Sequence, residues 1–529
     1  MLASLVTVLV GSSIAHGITI PLVPRDLFIP DADSARTLTG ADPFGFVNLV
    51  DSLYGGIVQV SGESFLVQLD TGSSDIWLDT SKSNISRFVD TGVNATLRYV
   101  DLTVAAGSIV TSDFTFGNFT IANQAWINAP GANATKGITQ GILGLGPPSL
   151  AAIPQHLKDG NSTADGSTFL DRLFSEKPDE PNFMTFRLSR NGFGVIDGGE
   201  FTIGDILTNH SAITSTPRLL VQSPDRWATY MDALIINGKK YTNTTVQDKN
   251  LQLPWLSIVD TGASPITAPV SIVDAMFGHL PGAQKGPDGI YSLPCDSKVN
   301  ITVVFGENEF PIHPVDLLVP VNVTDEGEFI CQGRATTLTV TPEQAGGTFL
   351  LGDVFQRNIY ALYDFGSWAT VGDTPPFMQF LSLTDRDQAW AEFDNLTKAR
   401  NEQFLQAATS DDDSTDDDST DDDSTDDDSS TADASSPAGA ISDDDDKHSD
   451  VSLSDLTRNS YIIMGLLATV IVVLLVLLTL VISSNKSAKR SKVYAPVAFK
   501  EPPSEGKPLS LGASRYSAEY STPYSDDGH

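Results

Sequence analysis

"FLVQLDTGSSDIWL", residues 65–78, runs an apolar segment into an Asp-Thr-Gly turn and leaves it on a second short apolar segment. An apolar strand ending in such a turn presents the Asp carboxylate at its tip, because glycine accepts turn geometry that a side chain resists. The same order returns in "LSIVDTGASPITAP", residues 256–269: apolar strand, Asp-Thr-Gly, a small residue, then Ser. Further on in each half comes an apolar-apolar-Gly element, "GILGLG" at 141–146 and "FLLGDVF" at 349–355. Such triplets are common singly, and Val304-Phe305-Gly306 is another. The ordered recurrence of both elements carries the reading. Two related halves each contribute one carboxylate, Asp70 and Asp260, to a site on a pseudo-twofold axis.

A third Asp-Thr-Gly, Asp90-Thr91-Gly92, lies in "FVDTGVNATLRY", residues 88–99. It follows Asp70 too closely to belong to a second lobe. Its approach, "SNISRFV", is not an apolar strand, Val93 replaces the small residue, and Asn94 opens a glycosylation sequon. An exposed turn outside the site is expected there.

Between residues 45 and 385 the chain reads as strands throughout, in short apolar or alternating runs such as "YGGIVQV" and "KVNITVVF" separated by Gly, Asn, Asp and Pro. The best helical signals are "SPITAPVSIVDAMFGHL" and "VFQRNIYALY". An all-β body of this length predicts two sandwich- or barrel-like lobes.

Taken together, "LDTGSSDIWL", "GILGLG", "VDTGAS" and "LLGDVFQRNIYALYDF", with Cys295 and Cys331 in the second half, make the chain resemble the pepsin-like aspartic peptidases over roughly residues 45–385. The resemblance implies a bilobal all-β fold, an N-terminal lobe over 45–213, a C-terminal lobe over 214–385, and a substrate cleft between them. It also implies a hairpin flap above the cleft and a short propeptide, for which residues 18–44 are the candidate. Asp70 and Asp260 are then the catalytic pair, acting on protein or peptide substrates with no cofactor and no metal. Gly72 and Gly262 permit the turns, Ser73 can donate to Asp70, and Thr71 and Thr261 hydrogen-bond across the lobe interface. The second loop has Ala263 where the first has Ser73. Tyr99 is the flap candidate, with Trp77 as its hydrogen-bond partner, although "LRYVDLTVAAGS" lacks the glycines of a Tyr-Gly-Thr-Gly hairpin.

Outside the body the composition changes. The chain of 529 residues has a formal net charge of -35. Roughly half of that excess lies between residues 410 and 450, mostly in the "DDDST" repeat, which has nothing apolar to bury. A solvated stalk is expected over 386–460. Residues 461–482, "YIIMGLLATVIVVLLVLLTLVI", carry no charge and are long enough to span a bilayer. Lys486, Lys489, Arg490 and Lys492 follow, which places the tail 483–529 in the cytosol. "MLASLVTVLVGSSIAHG", residues 1–17, reads as a signal peptide, the alternative being a buried N-terminal strand. Ten Asn-x-Ser/Thr sequons precede residue 400 and fit a lumenal or extracellular body. In that oxidising compartment Cys295 and Cys331 are expected to pair, the alternative being two separate buried thiols. The expected protein is a monomeric, single-pass type I membrane glycoprotein of the plasma membrane or secretory and vacuolar pathway.

Other chemistries find no support. The acidic balance and the lack of a basic stripe in the first 450 residues argue against nucleic acid. The seven His are scattered with no zinc motif, and neither a Gly-x-Ser-x-Gly elbow nor a phosphate-binding Gly-Lys-Ser/Thr loop is present. The rival is a non-catalytic surface binding protein on the same fold, which the altered flap favours and the two intact Asp-Thr-Gly loops oppose. An adhesive surface glycoprotein would explain the stalk and the sequons but not the paired loops.

Overall fold

The computed structural model describes residues 42–410 apart from 50, 100–102, 133, 136–138, 191–194, 245–253, 338–346 and 370–373. The signal peptide, residues 18–41 of the candidate propeptide, the acidic repeat from residue 411, the membrane segment 461–482 and the tail lie outside the described residues. Among the described residues no helix is long and apolar enough to cross a membrane.

The body is mostly β, as expected. In the first half a nine-stranded sheet runs from Val195–Asp197 at one edge to Val89–Arg98 at the other. At its centre the strand Glu63–Asp70 lies parallel to Gly141–Gly144, which is in turn antiparallel to Ile76–Leu78. Ile76–Leu78 then runs parallel to Phe119–Asn128. The second half repeats this weave. Trp255–Val259 lies parallel to Phe349–Leu351, which is antiparallel to Ile266–Ala268, and Ile266–Ala268 runs parallel to Ala335–Thr337. The two pairs of motifs seen in the sequence are therefore the central strands of two equivalent crossings. Each pairing pulls an Asp-Thr-Gly turn out at the strand end.

A five-stranded sheet belongs to both halves. Phe183–Leu188 and Gly199–Ile203 from the first pair onward to Ile359–Asp364, Phe377–Ser382 and Leu219–Leu220 from the second. The boundary expected at 213/214 thus cuts a shared platform. Strand Ile359–Asp364 also corrects the helical reading of "VFQRNIYALY": only Asp353–Gln356 is helical. Ile359, Tyr360 and Tyr363 are buried between two antiparallel neighbours, a setting that suits β-branched and aromatic side chains. The other helical signal holds, as Val270–Phe277. Cys295 and Cys331 form a disulfide, with S–S 2.06 Å.

The leader and stalk boundaries also shift. Phe44, assigned to the leader, is packed in the core against Phe116 and Phe201. The stalk does not begin at residue 386, because Arg386–Ser410 is a 25-residue helix. Its Ala389, Phe393, Arg400 and Phe404 are buried. These positions share one helical face, and burying the two Phe rings contributes roughly 1.5–3 kcal/mol each. The long, polar composition of the segment concealed a stripe only four residues deep.

Arg400, 6% exposed, reaches from that helix to the carbonyls of Val315 and Leu318 and to Asp51 Oδ2 at 3.1 Å. Beside it Asp316 accepts from Arg190 (2.8 and 2.7 Å), Arg357 (3.0 Å) and Asn358 (3.0 Å). Arg357 also donates to the Asp51 carbonyl at 2.9 Å. Burial alone would raise the Asp316 carboxyl, but the Arg190 and Arg357 charges outweigh it and hold it far below the usual carboxylate range. This charged core ties the two halves together beneath the site.

Candidate active site

The two Asp-Thr-Gly loops meet tip to tip. The backbone N–H of Thr71 donates to Thr261 Oγ1 and that of Thr261 to Thr71 Oγ1, each at 3.0 Å. Each hydroxyl passes its own proton onward, Thr71 to the Val259 carbonyl (3.1 Å) and Thr261 to the Leu69 carbonyl (2.7 Å). Gln68 Nε2 adds a bond to the Gly262 carbonyl at 3.0 Å. Both threonines are fully buried, so each bond also satisfies a group that would otherwise be stranded.

This crossing brings the carboxylates of Asp70 and Asp260 together. A Cβ on Gly262 would lie 2.1 Å from Asp70 Oδ1 and 3.0 Å from Asp260 Oδ1, while one on Gly72 would lie 2.3 Å from Asp260 Oδ2. Only glycine fits between each turn and the opposing acid. Asp70 Oδ1 accepts from Gly72 N at 2.8 Å and its Oδ2 from the Ser73 hydroxyl. Asp260 Oδ1 accepts from Gly262 N at 2.7 Å, and Ala263 offers it no hydroxyl. Burial, then the neighbouring Asp70 carboxylate, push the Asp260 carboxyl well above the ordinary range; the Gly262 N–H and the Arg226 charge oppose this. Asp70 thus accepts from two donors within its loop where Asp260 accepts from one.

Trp77 is fully buried in the strand after the first loop, and its Nε1 donates to Tyr99 Oη at 2.8 Å. Tyr99 directly follows the strand Val89–Arg98, and its N–H donates to the Thr103 carbonyl at 3.0 Å, closing the tip end of the hairpin with Val104–Phe116. Residues 100–102 at the hairpin tip lie outside the described residues. Asp90-Thr91-Gly92 sits in the far part of the same hairpin. It is an irregularity inside an edge strand, a β-bulge between Asp90 and Val93, and not a turn between elements. Gly92 N donates to Asp90 Oδ1 at 2.8 Å, so the motif repeats its local hydrogen bond without the partner loop.

Three residues that the sequence reading left unassigned stand close to the pair. Asp353 follows the second apolar-apolar-Gly element; its N–H donates to the Ala263 carbonyl at 2.8 Å and its carboxyl is fully buried. Burial lifts that carboxyl well above the usual range against the charges of Arg357 and Arg334. Arg334 donates to Ser264 in the second loop, and Arg226 precedes Trp227, whose carbonyl accepts from Val259 N beside Asp260. Asp353 was visible in "FLLGDVF"; the two Arg carry no sequence signal of their own, since their proximity comes from strand pairing. Among the described residues no group of three or more His, Cys, Asp or Glu is arranged to hold a metal.

Comparison with known proteins agrees with this geometry. A family model described as "Eukaryotic aspartyl protease" matches residues 54–372. An "Aspartic protease" of Phaffia rhodozyma is 25% identical over 345 residues, covering 61% of this chain and 76% of that protein. A "Probable aspartic-type endopeptidase CTSD" of Arthroderma benhamiae is 30% identical over 251 residues, 47% of this chain and 42% of the relative. "Vacuolar protease A" of Aspergillus fumigatus is 27% identical over 331 residues, 58% of this chain and 74% of its own.

Proposed function

The chain belongs to the eukaryotic aspartyl protease family, and from that premise we propose that it is an aspartic endopeptidase whose Asp70 and Asp260 activate a water for attack on a peptide bond. The observation that carries this reading is the reciprocal Thr71–Thr261 bonding, which sets two carboxylates against each other across two glycines.

Asp70, with donors from Gly72 and Ser73, is the ionised member and takes the proton from water. Asp260, raised by burial and by its neighbour, is the protonated member and polarises the substrate carbonyl. The hydroxide equivalent adds to the carbonyl carbon, and a proton passes to the leaving amine as the tetrahedral species collapses. No covalent enzyme intermediate forms. The pair works over an acidic to mildly acidic range, where one proton is retained. Tyr99, held by Trp77, closes over the substrate from the hairpin.

The wider setting belongs to the same reading. A signal peptide, ten sequons and residues 461–482 make a single-pass type I membrane glycoprotein with its catalytic body on the lumenal or extracellular side. It acts as a monomer on protein or peptide substrates. The deciding experiment is cleavage of a peptide library by the full-length protein from about pH 3 to about pH 7, beside Asp70→Asn and Asp260→Asn. Cleavage by the wild type alone supports the assignment; cleavage retained in either variant, with its fold intact, leaves a binding protein on this fold as the better account.

A further inference from the structure

The second Asp-Thr-Gly loop is held from below by a buried cation. Arg334 is 7% exposed, and its Nη2 lies 3.1 Å from Ser264 Oγ and 2.7 Å from Ser52 Oγ. Ser264 belongs to the loop that presents Asp260, whereas Ser52 follows the first strand of the opposite half. The backbone of Arg334 is fixed as well, donating to Leu317 O at 2.8 Å and accepting from Ile266 N at 3.1 Å. One guanidinium therefore bridges the two halves at the loop that presents Asp260.

The charges facing it are mixed. Arg357 and Arg400 repel it, and Asp51 and Asp316 attract it. Asp353, whose two buried carboxyl oxygens have no hydrogen-bond partner among the described residues, also feels its charge. Among the described residues Arg334 makes no ion pair; its side-chain partners are two neutral hydroxyls. A guanidinium removed from water with only hydroxyl partners costs stability, and an apolar residue of similar volume in its place is often neutral or stabilising. Its stability contribution does not account for it, whereas its position does. The loop it grips is the one with Ala263, which lacks the hydroxyl that Ser73 gives Asp70.

We propose that Arg334 is a positioning residue for the peptidase reaction: it pins the Asp260 loop to the opposite half by holding Ser264 and Ser52 on one guanidinium nitrogen. The inference rests on the Asp70–Asp260 reading and deepens it.

The test uses full-length protein and one internally quenched peptide that the wild type cleaves. Arg334→Met is expected to keep or raise thermal stability and to lower kcat about tenfold with little change in KM. Arg334→Lys retains the charge without the fork, so kcat stays low. Ser264→Ala keeps the cation and frees the loop; it lowers kcat with KM little changed, and serves if the Met variant fails to fold. Wild-type kcat in Arg334→Met overturns the proposal. So does a loss of rate that only tracks the folded fraction. Because Asp70→Asn and Asp260→Asn are inactive on the dyad reading whatever Arg334 does, cleavage retained there refutes that reading separately.

Discussion

Thr71 and Thr261 exchange hydrogen bonds, the backbone N–H of each meeting the other's hydroxyl at 3.0 Å. Thr71→Val keeps the shape but strands the buried Thr261 N–H, at a cost of about 1–3 kcal/mol. The loss of register at the dyad should lower kcat as well. Thr71→Ser restores the hydroxyl and is expected to recover most of both. Urea midpoints and kcat for the two variants check this; a Val variant that matches the wild type in both would remove the crossing from the mechanism.

Gly72 and Gly262 admit the opposing acid, not merely a turn. In Gly72→Ala the new methyl would fall 2.3 Å from Asp260 Oδ2, so the carboxylate must move by about an ångström. Misplacement on that scale costs on the order of a hundredfold in rate. The fold should survive, because the three atoms nearest the new methyl all belong to the Asp260 side chain. Circular dichroism together with kcat separates the two outcomes.

Ala263 leaves Asp260 without the hydroxyl donor that Asp70 has. A donor favours the ionised form, so Ala263→Thr should let Asp260 lose its proton at lower pH. The alkaline limb of the pH–rate profile then moves down while the acid limb changes less. An alkaline limb that does not move would show that the added hydroxyl does not reach the carboxylate.

The Trp77–Tyr99 bond of 2.8 Å offers a double-mutant cycle. Tyr99→Phe and Trp77→Phe each remove it, and the net loss of such a bond is about 0.5–1.5 kcal/mol. If the bond steadies the hairpin over substrate, each single variant lowers kcat/KM several-fold and the double variant adds little more. Fully additive losses would mean that the two residues act apart.

Asp316 makes the stability of the body sensitive to acid. Its carboxyl is held far below the usual range, so the stability it contributes is complete above the unfolded-state value near about pH 4 and drains away as pH falls further below it. Asp316→Asn leaves Arg190 and Arg357 without their buried anion, at a cost of about 3–5 kcal/mol. Urea midpoints should therefore drop sharply at about pH 6 and show a weaker decline toward about pH 3 than the wild type. Equal decline in both proteins would place the acid sensitivity elsewhere.

Much of the site was legible because its chemistry is local. An Asp, a Thr and a Gly at the end of an apolar strand act within one turn, and their recurrence marks both halves. Tyr99 came from the family resemblance, as the expected partner of Trp77, even with the hairpin's glycines missing. Arg334 and Asp316 could not be read in this way, because each acquires its surroundings from segments distant in sequence. Asp90-Thr91-Gly92 shares only the tripeptide: its polar approach and Val93 set it apart in sequence, and in the fold it lies at a bulge in an edge strand rather than opposite a partner loop. The helix Arg386–Ser410 was missed because its buried stripe includes an arginine, which a hydrophobic pattern counts as surface.

That arginine also decides how the molecule bears tension. Any pull on the acidic repeat beyond Ser410 arrives first at a helix whose last buried turns hold Arg400 and Phe404. To peel the helix away, the pull must withdraw a guanidinium from Asp51 and from two carbonyls at once. A cut after Ser410 would therefore leave the body latched shut, whereas a cut before Arg386 would open a cavity and take the Arg400 guanidinium from Asp51. The helix works as a mooring, and where the chain is severed relative to it decides whether the body stays closed.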